Sequence, residues 1–146
     1  MTGDRSTYFF YGTLMDMEVL AIVSGLSLAP MRLRSAVLQG YRRVRVRDVQ
    51  YPAVFVSDGY SVAGCAVHGI TEPAAARLRL FENDGYDLAV EPVLIGANIN
   101  RNAALFAATA RMNLTDEEWS FEDWRRHHRR QFMSRVKAWA GKLERA

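Results

Sequence analysis

The 146-residue chain has a single cysteine, Cys65, and no internal repeat or low-complexity tract. One cysteine excludes a disulfide framework and any metal motif built on thiolates. A reducing, cytoplasmic setting is the default expectation that follows. No apolar run approaches the ~20 residues that a membrane span needs, and the first residues lack a signal peptide's apolar core. Residues 2–6 are polar and expected to be loosely held. The lone cysteine has apolar neighbours and reads as a buried, inert thiol.

What is present fits one domain with a real core, since 49% of residues are hydrophobic and 24% charged. The net charge of +3 hides an asymmetry. Residues 125–146 hold eight Lys/Arg and one acid, a net of +7, while the other 124 residues hold eleven and fifteen, a net of −4. Basic character therefore belongs to the C-terminal segment. Docking of nucleic acid or an acidic partner on that segment ranks last among functional readings, because one basic helix face is usually just solvated.

Tyr8-Phe9-Phe10-Tyr11 is a short, uncharged, strongly β-prone run that Gly12 breaks. Asp16 then caps a helix over Met17–Ser24, with Glu18 in its first turn and Gly25 placed to end it. A strand ending in glycine before a helix presents backbone N–H groups to whatever lies above, which suits a carboxylate or polarised carbonyl. It also suits a plain strand-to-helix turn.

Residues 26–34 read as a loop containing Pro30, and strand pattern begins at Ser35. Arg43, Arg45 and Arg47 alternate with Val44 and Val46, as on the solvated face of an edge strand. Residues 51–56 form a further strand, with Pro52 at its start. Asp58-Gly59 signals a turn, and residues 62–70 return as a strand. His68 has no acid or nucleophile at a telling spacing and is taken as structural. Thr71-Glu72-Pro73 opens a second helix that Asn83-Asp84-Gly85 ends. Residues 88–95 and 103–110 are strand-like, joined by a turn-rich 96–102. The C-terminus reads as helical, with capping-box patterns at Thr115-Asp116-Glu117-Glu118 and Ser120-Phe121-Glu122-Asp123. Trp124, His128, Phe132, Val136, Trp139 and Leu143 recur on one face and should dock it on the body.

Glu82 is the candidate for chemistry. Ala75, Leu78 and Glu82 share a helix face, so a carboxylate sits on the buried stripe in the last turn. Desolvation and the negative helix end both raise its pKa, which would poise it for proton transfer near neutrality. A boundary glutamate that reaches water, or one paired with Arg79, is the competing reading.

Tyr11-Gly12-Thr13-Leu14, Gly40-Tyr41, Tyr51-Pro52-Ala53, Val62…Gly64 and Leu78…Glu82…Tyr86 occur in order. Together they resemble the gamma-glutamylcyclotransferase-like family, in its avirulence-induced-gene-like branch, over roughly residues 8–110. The Trp119/Trp124 tail resembles that of members with a C-terminal extension. The resemblance implies an α+β fold, a small mixed β-barrel flanked by helices, with the barrel domain at 1–114 and a C-terminal helical extension at 115–146 packed on it. It implies cyclisation of a gamma-glutamyl group to 5-oxoproline with release of an amine or amino acid. Glu82 would be the general acid/base; Gly12, Thr13 and Leu14 would hold the substrate through backbone amides, and Tyr11 and Tyr86 would line the pocket. The expected partner is a small gamma-glutamyl compound, with no metal, nucleotide or other cofactor and no membrane. The oligomeric state stays open. Leu88 stands where many relatives carry arginine, which motivates the alternative of a non-catalytic metabolite-binding module on the same fold.

Overall fold

The computed structural model describes residues 7–27, 32–82 and 85–145. The expectation for residues 2–6 lies outside them, as do Pro30 and the helix-ending Asn83-Asp84. Among the described residues the order is β1 (Tyr8–Phe10), a single 3-10 turn (Thr13–Met15), α1 (Met17–Ser24), β2 (Leu33–Val46) and β3 (Pro52–Val67). There follow α2 (Glu72–Glu82), β4 (Tyr86–Ile95), β5 (Ile99–Ala108), β6 (Leu114–Glu118), α3 (Phe121–His127) and α4 (Arg129–Arg145).

The strands run β3-β1-β5-β4-β2, and β2 pairs back onto β3, so five strands close a barrel with β6 added alongside β2. The β2–β4 seam is short, with Ala36 opposite Ile95 and Val37 opposite Leu94. The β1–β5 pair is parallel and the other pairings are antiparallel, giving a mixed barrel in an α+β fold.

The aromatic run makes sense once both of its faces are seen to be covered. Phe9 and Tyr11 point into the barrel with Leu38, Val54 and Leu105. Tyr8 and Phe10 point outward into a second core, where α1, α2, α3 and α4 lay Val19, Leu78, Trp124 and Val136 against the barrel wall. A strand buried on both faces has no place for a charge.

Several expectations for individual segments change. Asp58-Gly59 does not end a strand; β3 runs through it. The β2–β3 register jumps from Gln39–Ser61 to Tyr41–Val56, and the surplus residues of β3 are absorbed in a bulge where Gly40 (φ 81°) and Gly59 (φ 86°) take left-handed backbone. Leu33 and Arg34, expected in a loop, already belong to β2, and β4 and β5 begin earlier than expected, at Tyr86 and Ile99. The strand expected to reach residue 70 ends at Val67. Thr115 to Glu118 form β6 and not a helix cap, because pairing with Val44 and Val46 of β2 satisfies their backbone. Ser120 does cap α3, accepting the Asp123 N–H at 3.2 Å. The C-terminal helix breaks at His128, so the expected single face is shared by α3 and α4.

The arginine row is also not solvated as expected, since β2 is flanked on both sides. Arg43 donates to the carbonyls of Tyr11 (2.9 Å) and Ala63 (3.0 Å) and lies over the Trp119 ring at 5.7 Å. Arg45 pairs with Glu117 of β6 at 2.9 Å. Arg47 is exposed. No helix among the described residues is long and apolar enough to cross a membrane.

Candidate active site

At one mouth of the barrel, the end of β1, the start of β3, the end of α2 and the start of β4 surround a cavity of about 150 Å³. Tyr11, Gly12, Thr13, Leu14, Glu82 and Tyr86 all line it. The six residues singled out in the sequence thus meet in one place, although 70 positions separate Gly12 from Glu82.

The loop after β1 is fixed from several directions. A Cβ on Gly12 would lie 2.9 Å from the Pro52 ring, so only glycine fits there without a shift. Met15 N–H donates to the Gly12 carbonyl at 3.0 Å and Asp16 N–H to that of Thr13 at 3.1 Å, closing the 3-10 turn. Thr13 and Leu14, at the start of that turn, have N–H groups that no turn carbonyl can serve. Asp16 is buried and caps α1, accepting the Glu18 and Val19 N–H groups at 3.1 Å each. Its other oxygen takes Arg129 Nε of α4 at 2.5 Å, and the same guanidinium reaches Glu18 at 2.8 Å. Behind the loop, the Arg43 bond to the Tyr11 carbonyl sets the plane of the Tyr11–Gly12 peptide. Tyr11 itself donates its hydroxyl proton to the Phe106 carbonyl, and Tyr86 donates to that of Pro52 at 2.9 Å. Burial, with the nearby Glu82 charge, drives both phenols well above their ordinary range. Each therefore remains protonated and ties two strands together, and the Tyr11 oxygen also accepts from the Val54 N–H.

Glu82 ends α2 on the same face as the buried Ala75 and Leu78. The residue is half-buried and lines the cavity. Among the described residues no hydrogen bond or ion pair engages its carboxyl. The expected alternative of an Arg79 partner is not realised: the Arg79 guanidinium lies by the Tyr8 hydroxyl. Burial alone pushes the Glu82 carboxyl from 4.5 up to about 8. An acid of that strength exchanges protons readily around neutral pH.

The sequence does not disclose the apolar wall of this cavity, where Phe81 of α2, Phe106 of β5 and Phe132 of α4 stand. Helical spacing puts Phe132 on a docking face, but nothing local says where that face lands. Its ring meets Phe81 edge-on at 6.2 Å. Leu88 is 47% exposed on β4 and does not line the cavity. His68 lies at the other mouth, and the Cys65 thiol is pushed up by burial. Among the described residues no three His, Cys, Asp or Glu side chains converge as a metal ion would require.

Comparison with known proteins agrees with this architecture. A family model described as "Gamma-glutamyl cyclotransferase, AIG2-like" matches residues 8–126. AIG2-like protein C of Arabidopsis thaliana is 30% identical over 144 residues, covering 94% of this chain and 80% of that protein. AIG2-like protein D of the same plant is 27% identical over 97% of this chain and 93% of its own length. In structure, a protein of A. thaliana solved in solution superposes with a TM-score of 0.67 at 23% identity, covering 94% of this chain and 91% of that one. A gamma-glutamyl cyclotransferase does so with a TM-score of 0.61 at 16% identity, covering 75% and 68%. This chain belongs to the gamma-glutamyl cyclotransferase, AIG2-like family.

Proposed function

We infer that the protein cyclises a gamma-glutamyl group to 5-oxoproline and releases an amine or amino acid, with Glu82 as general acid/base. The observation that carries this reading is a carboxyl held near neutrality by burial, sharing a cavity with the backbone of the Gly12 loop.

The chemistry is intramolecular. The substrate's α-ammonium gives a proton to the Glu82 carboxylate, and the freed amine attacks the substrate's own γ-carbonyl carbon. A C–N bond forms, and the carbonyl oxygen becomes an oxyanion facing the N–H groups of the Gly12, Thr13 and Leu14 segment. Glu82 then returns its proton to the departing nitrogen, and the oxyanion re-forms the carbonyl as the original amide C–N bond breaks. The new ring nitrogen gives its surplus proton to the Glu82 carboxylate, from which it passes to the released amine. One carboxyl serves all these transfers because its pKa lies between those regimes. Ring closure within one molecule asks the protein chiefly to fold the substrate into reach, and the aromatic wall limits the extended conformers. The Tyr86 oxygen, with its proton already committed to the Pro52 carbonyl, would accept from the ammonium.

The test is a mass-spectrometric screen of gamma-glutamyl amino acids and amines for 5-oxoproline. Wild-type protein should form it from at least one compound, and Glu82→Gln should lower the rate at least ~100-fold, as removal of a general acid/base does. Full activity in the variant would refute the catalytic assignment. Tight calorimetric binding with no product from any compound would support the non-catalytic module instead.

A further inference from the structure

The barrel has a second mouth, and it carries charge of one sign. Strand register puts Thr7, the start of β2, the end of β3, the end of β4 and the start of β5 together at the end opposite Glu82. They enclose a cavity of about 320 Å³. Arg32, Arg34 and Arg101 line it, together with His68 and Thr7, over a buried apolar floor of Ala66 and Ile95. No carboxylate is among the described residues that line it.

The three guanidiniums are held there by different means. Arg32 donates to the carbonyls of His68 (3.0 Å) and Gly69 (3.3 Å). Gly69 makes room for it, since a Cβ at that position would lie 2.4 Å from the Arg32 guanidinium. Arg101 reaches His68 Nδ1 at 3.3 Å, and the Thr7 hydroxyl reaches the same nitrogen at 2.7 Å. Arg34 has no hydrogen bond or ion pair among the described residues. Arg45 and Arg129, by contrast, are each paired with a carboxylate. Three cations gathered round one hollow with no carboxylate among the described lining residues repel one another, and a bound oxyanion relieves that.

We propose that this mouth binds the phosphate group of a small organic phosphate, through Arg32, Arg34 and Arg101. Each guanidinium offers parallel donors suited to an oxyanion. A phosphate monoester brings a charge of about −1.5 to −2 at neutral pH, against −1 for a carboxylate, and so answers more of the cluster. The floor gives the organic body an apolar surface. The site is separate from the Glu82 cavity and does not depend on the reaction assigned there.

Calorimetry at low ionic strength, on the full chain, tests this with glycerol 3-phosphate, inorganic phosphate and succinate as probes. Glycerol 3-phosphate should bind saturably, one to one, and more tightly than either of the others. The double variant Arg34→Ala/Arg101→Ala should weaken it at least ~10-fold, with circular dichroism unchanged because both side chains are exposed. The single variant Arg34→Glu should weaken it as well. Arg126→Ala/Arg130→Ala, on the basic C-terminal helices, should not. The proposal is overturned if binding is not saturable, if the helix variant loses as much as the mouth variant, or if succinate binds tighter. Inorganic phosphate binding as tightly as the ester would overturn the organic part of the assignment.

Discussion

Glu82 carries a cost that surface carboxylates do not, because nothing among the described residues compensates its charge. Its folded pKa of about 8 stands above the 4.5 of an unfolded chain, so between those values the folded protein binds more protons than the unfolded one. Stability therefore falls as pH rises from 4.5 through about 8, the reverse of a salt-bridged carboxylate. The penalty is absent below that window and complete above it, on the order of 3–5 kcal/mol from the size of the shift. Glu82→Gln removes the ionisation, and its melting-temperature gain over wild type should grow from pH 5 to pH 9 in calorimetric scans. A difference independent of pH would contradict a buried carboxyl. For this residue the sequence is informative: the three- and four-residue spacing of Ala75, Leu78 and Glu82 says which way the carboxyl faces. It does not say whether Arg79 neutralises it, because both lie on one helix and the choice depends on Tyr8 of another element.

The elements that hold the Gly12 loop come from opposite ends of the chain, and α4 grips it through Arg129. Loss of that guanidinium leaves the buried Asp16 carboxylate with only the α1 N–H groups. Arg129→Ala should cost ~2 kcal/mol in urea unfolding and raise KM more than it lowers kcat, since the loop loosens without touching Glu82. An unchanged KM would show that the loop does not need α4. Apolar runs and caps make α1, α2 and β1 legible from the sequence alone. Thr115 to Glu118 mislead because a capping pattern is local, whereas their pairing is with β2, far back in the chain. The arginine row misleads for the same reason: alternation reports a strand, not what flanks it, and β3, β4 and β6 all flank β2.

Across the whole molecule, one core fills the barrel and another lies between barrel and helices. The second is completed by the C-terminal helices, with Trp124, Met133 and Val136 packed against Leu14, Val19 and Leu78. Ending the chain at Ser120 would uncover that apolar layer. Such a truncation should bind the dye ANS and unfold without a cooperative thermal transition. A sharp transition near the wild-type temperature would mean that the barrel stands alone. The barrel class is legible from the ordered motifs. Its closure is not, because the β2–β3 register turns on a bulge whose Asp58-Gly59 sequence looks like an ordinary hairpin turn.

The proposed reaction requires that one carboxyl, enclosed with the Gly12 loop, titrate near neutrality. Carbon-13 NMR of the Glu82 side-chain carboxyl, assigned by comparison with Glu82→Gln, reads that titration in the folded chain. The expected midpoint is about 8, and it should move on adding a gamma-glutamyl compound. A midpoint at the ordinary 4.5, indifferent to such a compound, would remove the acid/base on which the mechanism depends.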